Sequence, residues 1–101
     1  MTMSKQQIYI SGKMRGMDEQ LSRKLFQDAE DFLTKHGFIA HNPWKFVHTS
    51  ERWGDRIIAD LELLKSCDGI WMLENWRDSN GATCEYYFAR GEGLKFMGPH
   101  S

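Results

Sequence analysis

Short, strongly apolar stretches alternate with longer amphipathic stretches along this chain. The first apolar stretch, residues 8–10, is β-branched and aromatic and stops at Ser11 and Gly12, which predicts a buried strand. Three further apolar stretches, at residues 38–40, 67–73 and 94–97, predict strands of the same kind.

The stretches between these strands have helical spacing. Residues 17–36 carry apolar side chains three or four positions apart, and Gly37 follows as a stop signal. A second amphipathic helix is predicted over residues 50–65, with Ser50 in its N-terminal cap, and a third over about residues 82–90.

Strands that alternate with helices of this length pair in parallel through right-handed crossovers. The expected fold is one α/β domain over residues 1–101, a small Rossmann-like three-layer sandwich. Its sheet would contain about four parallel strands in the order 2-1-3-4, with helices on both faces. In such a sheet ligands bind outside the carboxyl ends of the strands, where the polar loops of this chain are predicted to meet.

The composition fits one globular domain and narrows the range of partners. Hydrophobic residues make up 41% of the chain, charged residues 27%, and the formal net charge is −1, so neither a nucleic acid polymer nor a membrane surface is expected as a partner. No apolar run approaches the roughly 18 residues of a membrane helix, and the N-terminus lacks the apolar core of a signal peptide. We therefore expect a cytoplasmic protein.

The cysteines and histidines show no metal-binding pattern. Cys67 and Cys84 lack CxxC spacing and are interpreted as reduced, structural thiols. The histidines, at positions 36, 41, 48 and 100, form no HxxxH or HxH pair, although His41 could line a pocket. Neither a metal site nor a cofactor is predicted.

Two carboxylates fall on helix faces that are otherwise apolar. Glu85 lies between Ala82 and Ala89 on the third helix, and Asp60 shares the apolar arc of the second. Burial would favour the protonated form of Asp60, which suits a general acid, whereas the helix dipole would favour the ionised form of Glu85, which suits a nucleophile. Such a pair is typical of retaining glycosidic chemistry. A structural interpretation stays open, in which Asp60 pairs with Arg56 and Glu85 stabilises its helix.

The loop before the third helix has the composition of an anion site. Ser79, Asn80 and Gly81 stand between a buried strand and a helix whose first N–H groups have no intrahelical acceptor, which favours a phosphate. Three of the four tryptophans lie near loops: Trp44, Trp53 and Trp76. They fit either a stacking wall for a base or surface packing and a dimer interface.

Four motifs, in this order, resemble those of the nucleoside 2-deoxyribosyltransferase superfamily. They are Tyr-Ile-Ser-Gly at 9–12, Asn-Pro at 42–43, Asp60 eight residues before Asp68, and the stretch 79–85. The resemblance spans nearly the whole chain. It is closest to a compact branch common in bacteria and phages and related to the 2-deoxynucleoside 5′-phosphate N-hydrolases.

The resemblance implies roles for individual residues. Glu85 matches the nucleophilic glutamate and Asp60 the catalytic aspartate, and Ser79 matches a phosphate-binding serine of the hydrolases. Tyr9 and Gly12 match residues that line the sugar site. The substrate-binding set predicted in this way is Tyr9, Ser11, Gly12, Lys13, Asn42, Trp76, Ser79, Asn80 and Gly81.

The predicted function is hydrolysis of the N-glycosidic bond of a (2-deoxy)nucleoside 5′-monophosphate through a covalent intermediate on Glu85, or transfer of the deoxyribosyl group. Lys13 or Arg15 would assist with the phosphate, and Trp44 or Trp76 would stack on the base. The alternative is a non-catalytic protein that sequesters or senses a nucleotide in the same pocket.

The chain also departs from the family pattern. Lys13 and Met14 replace the Gly-Pro or Gly-Ser step common after the first strand, and the chain stops soon after its fourth strand, where the larger enzymes add a fifth. In the related enzymes a neighbouring subunit helps to wall the pocket. Together with the exposed aromatic residues expected near the loops, this predicts a homodimer.

Overall fold

The computed structural model of the protein describes residues 5–98, and its four strands form one parallel sheet in the order β2-β1-β3-β4. The strands are β1 (Gln7–Ser11), β2 (Ile39–His41), β3 (Gly69–Met72) and β4 (Lys95–Met97). The helices are α1 (Glu19–Lys35), α2 (Trp53–Lys65) and α3 (Asn80–Glu92), and single 3-10 turns cover Pro43–Lys45 and Trp76–Asp78. The predicted fold class and strand order are confirmed.

Side chains that alternate along β1 divide the core into two layers. Ile8 and Ile10 face α1 and pack in a cluster with Phe26. Tyr9 points to the opposite face, where it packs with Leu64 of α2 and the buried alanines of α3. A strand buried on both faces needs apolar residues at successive positions, which explains why β1 reads as a continuous apolar run.

The loops after β1 and β3 leave the sheet side by side, because these two strands stay paired to their last residues. Gly12 lies so close to Leu73 that an added Cβ would sit 2.8 Å from the Leu73 Cβ, so this approach requires glycine. Just beyond it, the Lys13 backbone N–H donates to the Asn75 side chain at 2.9 Å. These contacts bring the two polar loops together at one edge of the sheet.

The N-terminal end of α2 differs from the prediction. The helix begins at Trp53 after Arg52, whose side chain makes no capping hydrogen bond. Ser50 lies two residues farther back, where its hydroxyl accepts from the Arg52 backbone N–H and donates to Asp55. The predicted cap at Ser50 is therefore wrong, since this serine shapes the loop that enters the helix.

Other sequence-based expectations can be placed on the described residues. None of the helices within residues 5–98 is long and apolar enough to cross a membrane. Cys67 is buried and Cys84 exposed, and both are free thiols. His100 lies outside the described residues.

Candidate active site

A cleft of about 1020 Å³ opens at the carboxyl edge of the sheet. Its wall combines the loops after β1, β2 and β3 with the first turns of α2 and α3, as expected for a parallel α/β sheet. Seven predicted site residues line it: Gly12, Lys13, Asp60, Ser79, Asn80, Gly81 and Glu85. Loops far apart in sequence thus contribute to one site.

The carboxylate of Glu85 is held in a fixed orientation inside this cleft. The residue is 6% exposed. The Tyr9 hydroxyl donates to Oε2 at 2.5 Å, and the Ser11 hydroxyl donates to Oε1 at 2.6 Å. Both donors come from β1, where residues two positions apart face the same side of the sheet. Tyr9 and Ser11 are fully buried, so they reach the cleft through Glu85.

Burial dominates the electrostatics of this group. It raises the pKa of Glu85 to about 7, against the hydrogen bonds from Ser11 and Tyr9, which lower it, and with a smaller upward contribution from the charge of Asp60. Burial, followed by the charge of Glu85, also raises the pKa of Tyr9 well above its usual value, which keeps the hydroxyl protonated as a donor.

The sequence-based expectation that the helix terminus keeps Glu85 ionised is therefore wrong. Because α3 begins at Asn80, Glu85 lies in its second turn. The favourable effect of a helix terminus is largely confined to the first turn.

Asp60 contributes a second carboxylate to the cleft and is held by a histidine. His48 Nε2 lies 2.8 Å from Asp60 Oδ1, with side-chain exposures of 12% for the histidine and 17% for the aspartate. Arg56 Nη2 lies 3.4 Å from His48 Nδ1. Asp60 thus pairs with His48, and Arg56 contacts the imidazole in place of the carboxylate, contrary to the direct Asp60–Arg56 pair considered from the sequence.

The start of α3 presents hydrogen-bond donors to the cleft. Ser79 is the N-cap, and its hydroxyl oxygen accepts from the Ala82 backbone N–H at 3.1 Å. The N–H groups of Asn80 and Gly81, at the first positions of the helix, have no intrahelical acceptor. Lys13 enters the same cleft from the loop after β1. This combination suits an anion.

Four residues of the predicted substrate-binding set lie outside the cleft wall: Asn42 and Trp76, and also Tyr9 and Ser11, which contact Glu85 behind it. Asn42 is buried, with Oδ1 accepting from the Trp44 backbone N–H at 3.0 Å and Nδ2 donating to Glu30 at 3.1 Å. Trp76 is 5% exposed and stacks on Tyr86 with ring centroids 4.3 Å apart. The Asn42 and Trp76 side chains are engaged in loop structure and packing, and neither lines the cleft.

Trp44 and Trp53 line the cleft, and Trp44 is one of the two residues named for base stacking. Its Nε1–H donates to Ser22 Oγ at 3.1 Å, and the Arg23 guanidinium lies 4.2 Å from its ring centroid. His41 is placed elsewhere, with Nε2 2.9 Å from Gln7 Oε1.

His48 is a site residue that the sequence did not indicate, and Arg56 was considered only as a structural partner of Asp60. Both line the cleft, but His48 stands in a loop without periodicity. Its distance of twelve residues from Asp60 matches no metal or catalytic spacing. Its only sequence signal was its place in the polar loop after the second strand.

Two solved structures have a fold similar to the one that forms this cleft. The structure is similar to the Clostridium botulinum CMP N-glycosidase BcmB, with a TM-score of 0.66 and 20% identity over 91% of this chain and 69% of that one. It is also similar to a 2-deoxyribosyltransferase from Leishmania mexicana, with a TM-score of 0.65 and 14% identity over 92% of this chain and 63%, less than two thirds, of that one. The chain thus shares its fold with an N-glycosidase and a 2-deoxyribosyltransferase, as the resemblance seen in the sequence predicted.

Sequence comparisons add one family match. The family described as "Domain of unknown function (DUF4406)" matches residues 6–98. None of the curated proteins is significantly similar in sequence to the chain.

Proposed function

The chain belongs to the DUF4406 family, and we propose that this member is an enzyme that cleaves the N-glycosidic bond of a (2-deoxy)nucleoside 5′-monophosphate or transfers its deoxyribosyl group. The observation that carries the proposal is the Glu85 carboxylate, buried and held by two hydroxyl donors in a cleft that contains a second carboxylate, Asp60. The names of the two structural neighbours, an N-glycosidase acting on CMP and a deoxyribosyltransferase, support the same chemistry.

In the proposed reaction, a Glu85 oxygen attacks C1′ of the sugar while the bond from C1′ to the base nitrogen breaks. The electron pair of that bond leaves with the base, and protonated Asp60 supplies the proton that neutralises it. Water then attacks C1′ of the glycosyl ester while its proton passes to the Asp60 carboxylate, which releases the sugar phosphate, regenerates Glu85 and returns Asp60 to its protonated form. Tyr9 and Ser11 keep the carboxylate aimed throughout.

The phosphate would occupy the start of α3. Ser79 and the free N–H groups of Asn80 and Gly81 supply hydrogen bonds, and Lys13 or Arg15 supplies positive charge. Trp44 offers a ring on which the base could stack.

The direct test is incubation with a panel of deoxynucleotides, ribonucleotides and the matching nucleosides, with free base followed by chromatography. Release of base from 5′-monophosphates is the expected result. Tight binding of a nucleotide without base release would instead support the non-catalytic binding protein.

Replacement of Ser79 by Ala is expected to weaken binding of 5′-monophosphates by about 1–2 kcal/mol and to leave nucleoside binding nearly unchanged, because a hydrogen bond to a charged group is lost. Calorimetric titration with matched nucleotide and nucleoside pairs measures the difference. Ser79→Thr, which keeps the hydroxyl, is the control. Equal losses for nucleotide and nucleoside would show that Ser79 acts only as the cap of α3.

The pH dependence of base release should follow the ionisation of Glu85. Since burial raises the pKa of Glu85 to about 7 and only the ionised form attacks, kcat/KM should rise about tenfold per pH unit on the acidic side of that value, and it should fall again at higher pH where the general acid loses its proton. Ser11→Ala removes a hydrogen bond that lowers this pKa, so its profile should shift to higher pH. An unchanged profile in that variant would assign the titration to another group.

We also propose that the protein is a homodimer, although fewer aromatic residues support this than the sequence indicated. Trp76 is buried, while Trp53 lines the cleft and is 48% exposed, and Val47 and Ile58 are further exposed apolar side chains. Light scattering should give a mass near twice 11.8 kDa. Trp53→Glu should reduce the mass to that of a monomer, and Tyr87→Glu, at an exposed residue of α3, should not. A wild-type monomer would contradict the proposal.

A further inference from the structure

We propose that His48 is a positioning residue that holds Asp60 through one hydrogen bond of fixed direction, and that Arg56 selects the histidine tautomer that makes it. The inference rests on the proposed glycosidic chemistry for its kinetic consequence. The tautomer of His48, and the role of Arg56 in fixing it, can be tested on a protein that shows no activity.

The tautomer follows from the chemistry of the two partners. Arg56 presents only N–H donors and remains charged, so a hydrogen bond across the 3.4 Å to His48 Nδ1 requires that nitrogen to be the acceptor. A neutral imidazole with an unprotonated Nδ1 carries its proton on Nε2. That Nε2–H points at Asp60 Oδ1 across 2.8 Å. Both neighbours are therefore satisfied by one neutral form of the ring.

The imidazole ring is itself held by aromatic packing. His48 packs edge-on against Phe46, with ring centroids 6.4 Å apart, and Phe46 packs against Tyr9 at 5.9 Å. Tyr9 is one of the two donors that orient Glu85. A chain of ring contacts thus runs from His48, which pairs with Asp60, to Tyr9, which donates to Glu85.

The hydrogen bond from a neutral donor suits an acid that changes its protonation state. With Oδ1 accepting from His48, Oδ2 is the Asp60 oxygen left for the proton that passes to the departing base. Once that proton has left, the same N–H stabilises the carboxylate anion that remains. The effect on rate should be greatest when the base needs the proton most, that is, for poor leaving groups.

The kinetic test compares His48→Phe, which keeps a ring and loses the donor, with His48→Gln, whose amide N–H can replace the Nε2–H. For poor leaving groups we expect His48→Phe to lower kcat by roughly 10-fold to 100-fold with KM within a few-fold, and His48→Gln to recover most of the loss. The double variant with Asp60→Asn should be no slower than Asp60→Asn alone. His36→Phe, at an exposed histidine after α1, is the control for a histidine-to-phenylalanine change.

Three kinetic results would each overturn the positioning role. They are an equal loss of kcat in the Phe and Gln variants, an equal loss for all leaving groups, and full additivity with Asp60→Asn.

Nitrogen-15 NMR of the imidazole rings tests the geometry in the ligand-free protein. His48 should show a protonated Nε2 and an unprotonated Nδ1, and Arg56→Met should shift it towards a tautomer mixture. The opposite tautomer would overturn the inference. The expected tautomer in a protein that releases no base would count against the proposed function alone.

Discussion

Replacing Glu85 with Gln is expected to lower base release by roughly 10³-fold or more, because the nucleophile that forms the covalent intermediate is lost. Gln preserves the shape of the side chain, and the Tyr9 and Ser11 hydroxyls can rotate to accept from its amide as well as donate to its carbonyl. Nucleotide affinity should therefore stay within a few-fold of wild type. The measurement is chromatographic base release together with calorimetric binding on the same preparations.

Glu92→Gln is the matched control, since Glu92 is an exposed carboxylate in the last turn of the same helix. Intact-mass analysis of the wild type with a slow substrate should show a sugar phosphate adduct that Glu85→Gln lacks. Residual activity near that of wild type, with an adduct still present, would exclude Glu85 as the nucleophile.

Much of the fold was predictable because the core imposes regular patterns on the sequence. The continuous apolar run of β1 follows from burial on both faces, and the strand order was predicted correctly. Glu85 could also be identified, since a carboxylate between Ala82 and Ala89 on a helix must enter the core beside them. The position of Glu85 on an apolar helix face can be recognised from helical periodicity, without knowledge of tertiary contacts.

Other features depend on contacts between distant segments. Trp76 is buried because Tyr86, ten positions farther along the chain, stacks on it, and no local pattern distinguishes such a residue from one that lines a pocket. His48 owes its role to Asp60 and Arg56 on the following helix. Loops carry no period from which such partners can be inferred.

Small errors in helix boundaries changed the predicted chemistry more than the predicted fold. The third helix was expected from about residue 82 and begins at Asn80, which moves Glu85 from the first turn to the second. Burial, the largest influence on this group, raises the pKa of Glu85 to about 7, and in the second turn the helix terminus does little to oppose it.

Replacing Asp60 with Asn should slow base release by about 10²-fold to 10⁴-fold for bases that are poor leaving groups and much less for good ones. Asn cannot donate the proton that Asp60 supplies, and a base that departs readily as an anion needs that proton least. Its side chain still offers an oxygen to the His48 Nε2–H, so the loop should keep its position. A series of nucleotides that differ only in the leaving ability of the base, measured under single-turnover conditions, gives the slope directly.

The control is Glu62→Gln, which removes a carboxylate from an exposed position of the same helix and should leave both the rate and the slope unchanged. If the rate depends more steeply on the leaving ability of the base in Asp60→Asn than in wild type, Asp60 is the proton donor. Without that donor, the base has to leave as an anion in the step that breaks its bond to C1′. If every substrate slows by the same factor, Asp60 acts by placing the sugar against Glu85. Glu85 would then be the one carboxylate that takes part in the chemistry, and the departing base would have to take its proton from water or from another group in the cleft.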